Sequence, residues 1–108
     1  MESQIRENNI VTLVNTFFVE NEDQQDALIN ELNKATEKVM SKIDGFISAN
    51  LHKSLDGKRV INYAQWESVD HFQNMLNDPL AKQHMKEIGE MVIKYDPVLC
   101  KVKKIHHK

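Results

Sequence analysis

The dipeptide Asp56-Gly57, set between two runs of alternating apolar and polar residues, constrains this chain more than any other feature. Such a pair is the strongest short-range signal for a β-hairpin. Pairing Leu55 with Lys58 across the turn sets Lys53 against Val60, Leu51 against Asn62, Ala49 against Ala64 and Ile47 against Trp66. Directly opposed residues share a face of the sheet. One face then carries Ile47, Ala49, Leu51, Val60, Asn62, Ala64 and Trp66. The reverse face carries Phe46, Ser48, Asn50, His52, Arg59, Ile61, Tyr63, Gln65 and Glu67.

Asn62 is out of place in that first row. A lone amide in an apolar surface is costly unless something bonds it. Trp66 lies four residues further along the strand, roughly 13 Å away at about 3.3 Å per residue, and only the methyl group of Ala64 separates them on that face. An aromatic wall, a small residue and a hydrogen-bonding amide suit a pocket for a flat organic molecule. The plain alternative is an asparagine bonded to neighbouring backbone and a tryptophan filling the core.

The rest of the chain supplies partners for the hairpin. Ile10 to Val19 alternates, is rich in β-branched and aromatic residues and reads as a strand; its odd positions, Val11, Leu13, Asn15, Phe17 and Val19, again place an asparagine in an apolar row. Asn21 and Gln24 form a capping pair for a helix reaching about Lys42, with Leu28, Leu32, Ala35 and Val39 as its buried stripe. After the hairpin, Ser68 caps a short helix that turns Val69, Phe72 and Met75 or Leu76 inward. Asp78-Pro79 starts another helix, with Leu80, His84, Ile88 and Val92 as its stripe. Tyr95 to Ile105 reads as a last strand. The order β-α-β-β-α-β is the ferredoxin-like α+β arrangement: a four-stranded antiparallel sheet with helices on one face. The other face, bearing Phe46, Ile61 and Tyr63, is too apolar to sit bare, so a homodimer packed sheet against sheet is expected.

At 108 residues the chain is read as one domain over 1–108, with its core at about 10–105. The net charge of −2 and the scattered lysines give no nucleic-acid stripe. No apolar run approaches a membrane span, and MESQIRENN has no apolar leader core. The single cysteine, Cys100, permits no internal disulfide and is expected to be a buried, inert thiol. A cytoplasmic location is the expectation that follows. There is no glycine-rich phosphate loop, no Cys/His metal spacing and no nucleophile elbow.

The element order, with SANLHKSLDGKRVINYAQWES at its centre, resembles the antibiotic biosynthesis monooxygenase family of small dimeric α+β barrels, from Ile10 to about Lys103. The likeness is greatest to members that oxidise phenols to quinones without metal, flavin or haem. There an asparagine and a tryptophan line the cavity, at the positions of Asn62 and Trp66. A tyrosine of that pattern is replaced here by Phe72. A second branch of the fold degrades haem with an asparagine of the first strand, a tryptophan and a histidine of the last helix, where Asn15, Trp66 and His84 stand.

The resemblance implies a cofactor-free monooxygenase that oxidises an electron-rich phenol or quinol with O₂. Asn62 and Trp66 would be its catalytic residues, and Asn15, Phe72 and His84 would be near the substrate. Haem degradation, with His84 as iron ligand, is the enzymatic alternative. A non-catalytic dimer that binds a small molecule is the other.

Overall fold

A computed structural model describes residues 10–108. The sequence reading of 1–9 as lacking an apolar leader core therefore lies outside the described residues. Four strands, β1 (Val11–Phe18), β2 (Phe46–Lys53), β3 (Arg59–Trp66) and β4 (Lys94–Cys100), form an antiparallel sheet in the order β2-β3-β1-β4. Helix α1 (Glu22–Lys38) joins β1 to β2. Helices α2 (Val69–Leu76) and α3 (Pro79–Glu90) join β3 to β4. This is the ferredoxin-like fold that the element order predicted. Among the described residues, no helix is long and apolar enough to cross a membrane.

The hairpin register holds from Ser48 to Lys53: Lys53 faces Val60, Leu51 faces Asn62 and Ala49 faces Ala64. The turn is longer than predicted. Ser54 N–H donates to the Arg59 carbonyl (3.1 Å) and closes a loop over Leu55–Lys58, within which Gly57 N–H donates to the Ser54 carbonyl (3.2 Å). Gly57 has a φ of 76°, which accounts for glycine there. The Asp56 carboxylate accepts from Ser54 Oγ (2.6 Å) and Lys58 N–H (2.9 Å). The Ser54 hydrogen bond, foremost, holds its carboxyl below the usual range.

At the other end of the hairpin the expectation fails. Phe46, not Ile47, stands opposite Trp66, and the extra residue makes a β-bulge. Gly45, at φ 90°, sets the entry, and its carbonyl accepts from Glu67 N–H (2.8 Å). A Cβ at Gly45 would overlap the His71 ring. The bulge moves Phe46 from the outer face to the helix side, where its ring meets Trp66 edge-on at 5.4 Å. Burial of two aromatic rings against each other outweighs one lost ladder position.

Helix α1 behaves as read: Asn21 Oδ1 accepts from Gln24 N–H (2.9 Å), and Leu28, Leu32, Ala35 and Val39 are buried. Gln24 reaches back to Glu20 N–H rather than to the cap residue itself. In α2, Phe72 and Met75 are buried, but Val69 and Leu76 are exposed. Asp78 caps α3 by accepting from Leu80 and Ala81 N–H. The first turns of α3 bury a position one residue from the predicted one, since Leu80 is 64 % exposed and Ala81 is fully buried, while Ile88 is buried as predicted. Ala81 packs in the cluster around Trp66 and Phe72, where only a small side chain allows the helix so close. The last strand stops at Cys100, paired with Thr12 near the start of β1, rather than at the predicted Ile105. As an edge strand with no layer above it, β4 leaves Cys100 half-buried rather than buried.

Gln25 is a fully buried polar residue on α1. Its Nε2 donates to the Ser54 carbonyl (3.0 Å), Ser54 Oγ (3.2 Å) and the Arg59 carbonyl (2.7 Å), clasping the hairpin loop to the helix. Gln25→Ala is expected to cost about 1–2 kcal/mol in urea unfolding, because it removes the hydrogen bonds that tie the hairpin loop to α1. Exposed Asp23→Ala is expected to stay within about 0.5 kcal/mol of the parent. Equal values for the two variants would contradict the clasp.

Candidate active site

Between sheet and helices lies a cavity of about 130 Å³. An apolar cavity of roughly 150 Å³ is enough to take up a benzene ring. The floor is the sheet: Leu13, Asn15 and Phe17 from β1, Asn62, Ala64 and Trp66 from β3, and Phe46 and Ala49 from β2. The roof is helical: Leu32, Ala35 and Thr36 of α1, Met40 just beyond it, Met75 of α2, and Met85, Ile88 and Gly89 of α3. Tyr95 of β4 closes one side. It is the lining residue that is exposed (55 %), so the cavity meets solvent there.

Strand alternation explains why these side chains converge. Asn15 and Asn62 are direct partners in the β1–β3 ladder, with Leu13 opposite Ala64 on one side of them and Phe17 opposite Val60 on the other. Ala49 and Ala64 are partners as well, and their methyl groups leave open the floor between Asn62 and Trp66. Trp66 is buried and held between two edge-on rings, Phe46 at 5.4 Å and Phe72 at 6.4 Å. It forms a rigid end wall. The methionines in the roof suit guests of varied outline, since unbranched thioether chains adapt to irregular shapes.

The polarity is sparse and placed at the centre. Among the described residues, no acidic, basic, histidine or cysteine side chain lines the cavity, and Tyr95 is the single ionisable one. Thr36 Oγ1 is engaged with the Leu32 carbonyl at 2.8 Å. The Oδ1 atoms of Asn15 and Asn62 are both buried, and neither has a hydrogen-bond partner among the described residues. Each such atom costs about 1–3 kcal/mol. Two of them side by side in an apolar chamber make a surface that awaits a polar guest.

Of the predicted site residues, Asn15, Asn62 and Trp66 come together in one cavity. Phe72 and His84 do not line it. Phe72 lies behind Trp66 in the core cluster and acts on the cavity only through the indole. His84 is half-buried on the flank of α3, its Nδ1 3.9 Å from Glu87 Oε2. The one-residue rotation of the α3 stripe gives Met85 the place predicted for His84. Sequence reasoning missed Tyr95 and Phe46. Tyr95 shares a face with Phe17, its ladder partner, but no tight turn joins β1 to β4, so that register carries no local signal. Phe46 was hidden by the bulge.

Comparison with known proteins agrees with this geometry. The sequence matches the antibiotic biosynthesis monooxygenase family over residues 10–87. It is 38% identical over 94 residues to the tetracenomycin-F1 monooxygenase of Streptomyces glaucescens, covering 87% of this chain and 82% of that protein. Among solved structures, it is similar to a Streptomyces coelicolor monooxygenase, from the gene ActVA-Orf6, crystallised with nanaomycin D. That likeness has a TM-score of 0.83 and 26% identity, and covers 93% of this chain and 92% of the other. SnoaB, a cofactor-independent oxygenase of Streptomyces nogalater, shares the fold with a TM-score of 0.75 at 20% identity, covering 91% and 97% of the two chains. With its ferredoxin-like sheet, its cavity and a match that spans most of its length, the chain belongs to the antibiotic biosynthesis monooxygenase family.

Proposed function

We propose that this protein is a cofactor-free monooxygenase that oxidises an electron-rich phenol or quinol to a quinone with O₂. The observation that carries the reading is the lining of the cavity: apolar and aromatic walls around two unpartnered amide oxygens, with Tyr95 the one ionisable side chain among the described residues. Such a chamber can bind, orient and desolvate a substrate, but it leaves the electrons to the substrate. A phenolate transfers one electron to O₂, and the radical pair recombines to form a carbon–oxygen bond. The O–O bond of the resulting peroxide then breaks with loss of the ring hydrogen. One oxygen atom stays in the quinone and the other leaves as water. The Asn62 amide N–H stabilises the phenolate and the developing peroxide, and Trp66 fixes the ring plane. The relative named for tetracenomycin F1 and the neighbour that holds nanaomycin D support a substrate of this kind.

The haem alternative needs an imidazole facing the cavity. His84 is on the flank of α3 and the lining set includes no histidine, so the residues present do not fit an iron porphyrin held in that way. A binding-only role is separated from catalysis by turnover. With a panel of hydroquinones in an oxygen electrode, the parent is expected to consume O₂. Asn62→Ala is expected to lose about 10²-fold in rate, as for removal of one charge-stabilising donor. Ligand binding without O₂ uptake by the parent would leave a binding module.

The rate should also rise with pH through the ionisation of the substrate's own phenol and then level off, since the deprotonated form is the reactive one. His84→Ala should leave that profile in place. A pH profile that changes in His84→Ala would instead assign a histidine base.

The working form in this reading is a homodimer. The outer face of the sheet carries Val14, Phe18, Ile61 and Tyr63, all half-buried, beside exposed Val98, and the helices cover the opposite face. Sedimentation is expected to give a dimer at micromolar concentration, and Ile61→Glu, which places an unpaired charge in that face, a monomer or an unfolded chain. A parent that sediments as a monomer would contradict this.

A further inference from the structure

Asn15 and Asn62 occupy directly opposed positions on neighbouring strands. Residues so placed have Cβ atoms roughly 4.5–5.5 Å apart. At that distance two amides ordinarily bond each other or a third group. Here both Oδ1 atoms are buried and unpartnered, and both side chains line the same cavity. The Thr36 hydroxyl in the roof is already bonded to the Leu32 carbonyl. The protein therefore holds two adjacent hydrogen-bond acceptors in an apolar chamber without answering either.

We infer that the Asn15–Asn62 pair is a two-point receptor for two hydroxyl groups side by side on an aromatic ring, and that Asn15 is the residue that selects for the second hydroxyl. This rests on the proposed oxidation of phenols in the same cavity. Two hydroxyls on adjoining ring carbons direct their O–H bonds apart, and each reaches an acceptor about 2.7–2.8 Å away. Acceptors carried on opposed strands match that divergence. A ring with one hydroxyl, or with two set far apart, answers one amide and leaves the other buried without a partner, and sites built for a hydroxyl discriminate strongly against its absence. Among the described residues, no partner of either Oδ1 fixes the orientation of its amide. After the substrate loses one proton, one amide can turn its N–H₂ to the phenolate oxygen while the other still accepts from the remaining O–H. The pair thus serves both the neutral diphenol and its reactive monoanion. Asn15 acts on which substrate is seated, and Asn62 on that and on the charge that develops.

The test measures binding without oxidation. Calorimetry under anaerobic conditions compares 2,3-dihydroxynaphthalene with its 2,6-isomer, which has the same atoms and apolar surface but separated hydroxyls. The parent is expected to bind the 2,3-isomer at least about tenfold more tightly, a difference of about 1.4 kcal/mol. Asn15→Ala is expected to lose that preference, chiefly through weaker binding of the 2,3-isomer. Asn15→Leu, which replaces an unanswered polar group by an apolar one of similar size, is expected to hold or raise the melting temperature. Equal affinities in the parent, no binding of either isomer, a parallel loss of both in Asn15→Ala, or a lowered melting temperature in Asn15→Leu would each overturn the inference. Because no oxygen is present, tight selective binding followed by no turnover in air would refute the proposed oxidation and leave the receptor standing.

Discussion

The register of β3 is the constraint on which the rest depends. β3 is paired on both sides, to β2 and to β1, so its alternation decides which residues of three strands face the helices. A slip of one residue would send Asn62, Ala64 and Trp66 to the outer face and bring Ile61, Tyr63 and Gln65 into the cavity. Both ends of the strand are pinned against that slip. At the start, the Asp56-Gly57 loop is closed by Ser54 and Arg59, and Gln25 holds both residues from the helix layer. Lys53 adds exposed ties to Asp26 (2.7 Å) and Glu22 (3.0 Å), and the Asp26 hydrogen bond leads in raising its pKa. At the end, the Gly45–Glu67 hydrogen bond and the bulge lock Phe46 against Trp66.

What this rigidity maintains is an unfavourable interior. Two amide oxygens without partners, small residues where larger ones would fill space, and adaptable methionines overhead are each worse for folding than a packed apolar core. They occur together in one place, floored by the most firmly registered strand. Violations of core packing that cluster in this way mark function. Outside the cavity, Thr12 Oγ1 and Gln25 Oε1 are the other buried side-chain atoms without a partner among the described residues; Leu28, Val60 and Ala81 are fully buried among apolar neighbours, and each of the three α-helices has a side-chain cap at its start.

Local chemistry made much of this legible in the sequence. The hairpin register from Ser48 to Lys53, the caps at Asn21, Ser68 and Asp78, and the α1 stripe all depend on local sequence, and each holds in the structure. Asn15 and Asn62 stood out because polar residues interrupt apolar rows. The misses depend on contacts between distant segments. The α3 stripe was assigned to Leu80 and His84 on hydrophobicity, whereas close approach to Trp66 selects the small Ala81 and turns Met85, not His84, toward the cavity. Tyr95 was invisible because its neighbours come from the β1–β4 ladder. The Phe46 bulge came from an aromatic contact that no alternation pattern encodes.

The central claim is that the cavity performs an oxygenation whose electrons come from the substrate alone. Turnover of a hydroxynaphthalene under ¹⁸O₂ by metal-free protein, with chelator present and no added flavin or haem, tests it most directly. The account predicts one labelled oxygen atom in each quinone formed, one in water, and one O₂ consumed per quinone. Quinone oxygen drawn from unlabelled water, or turnover that appears only when a metal or haem is restored, would contradict it.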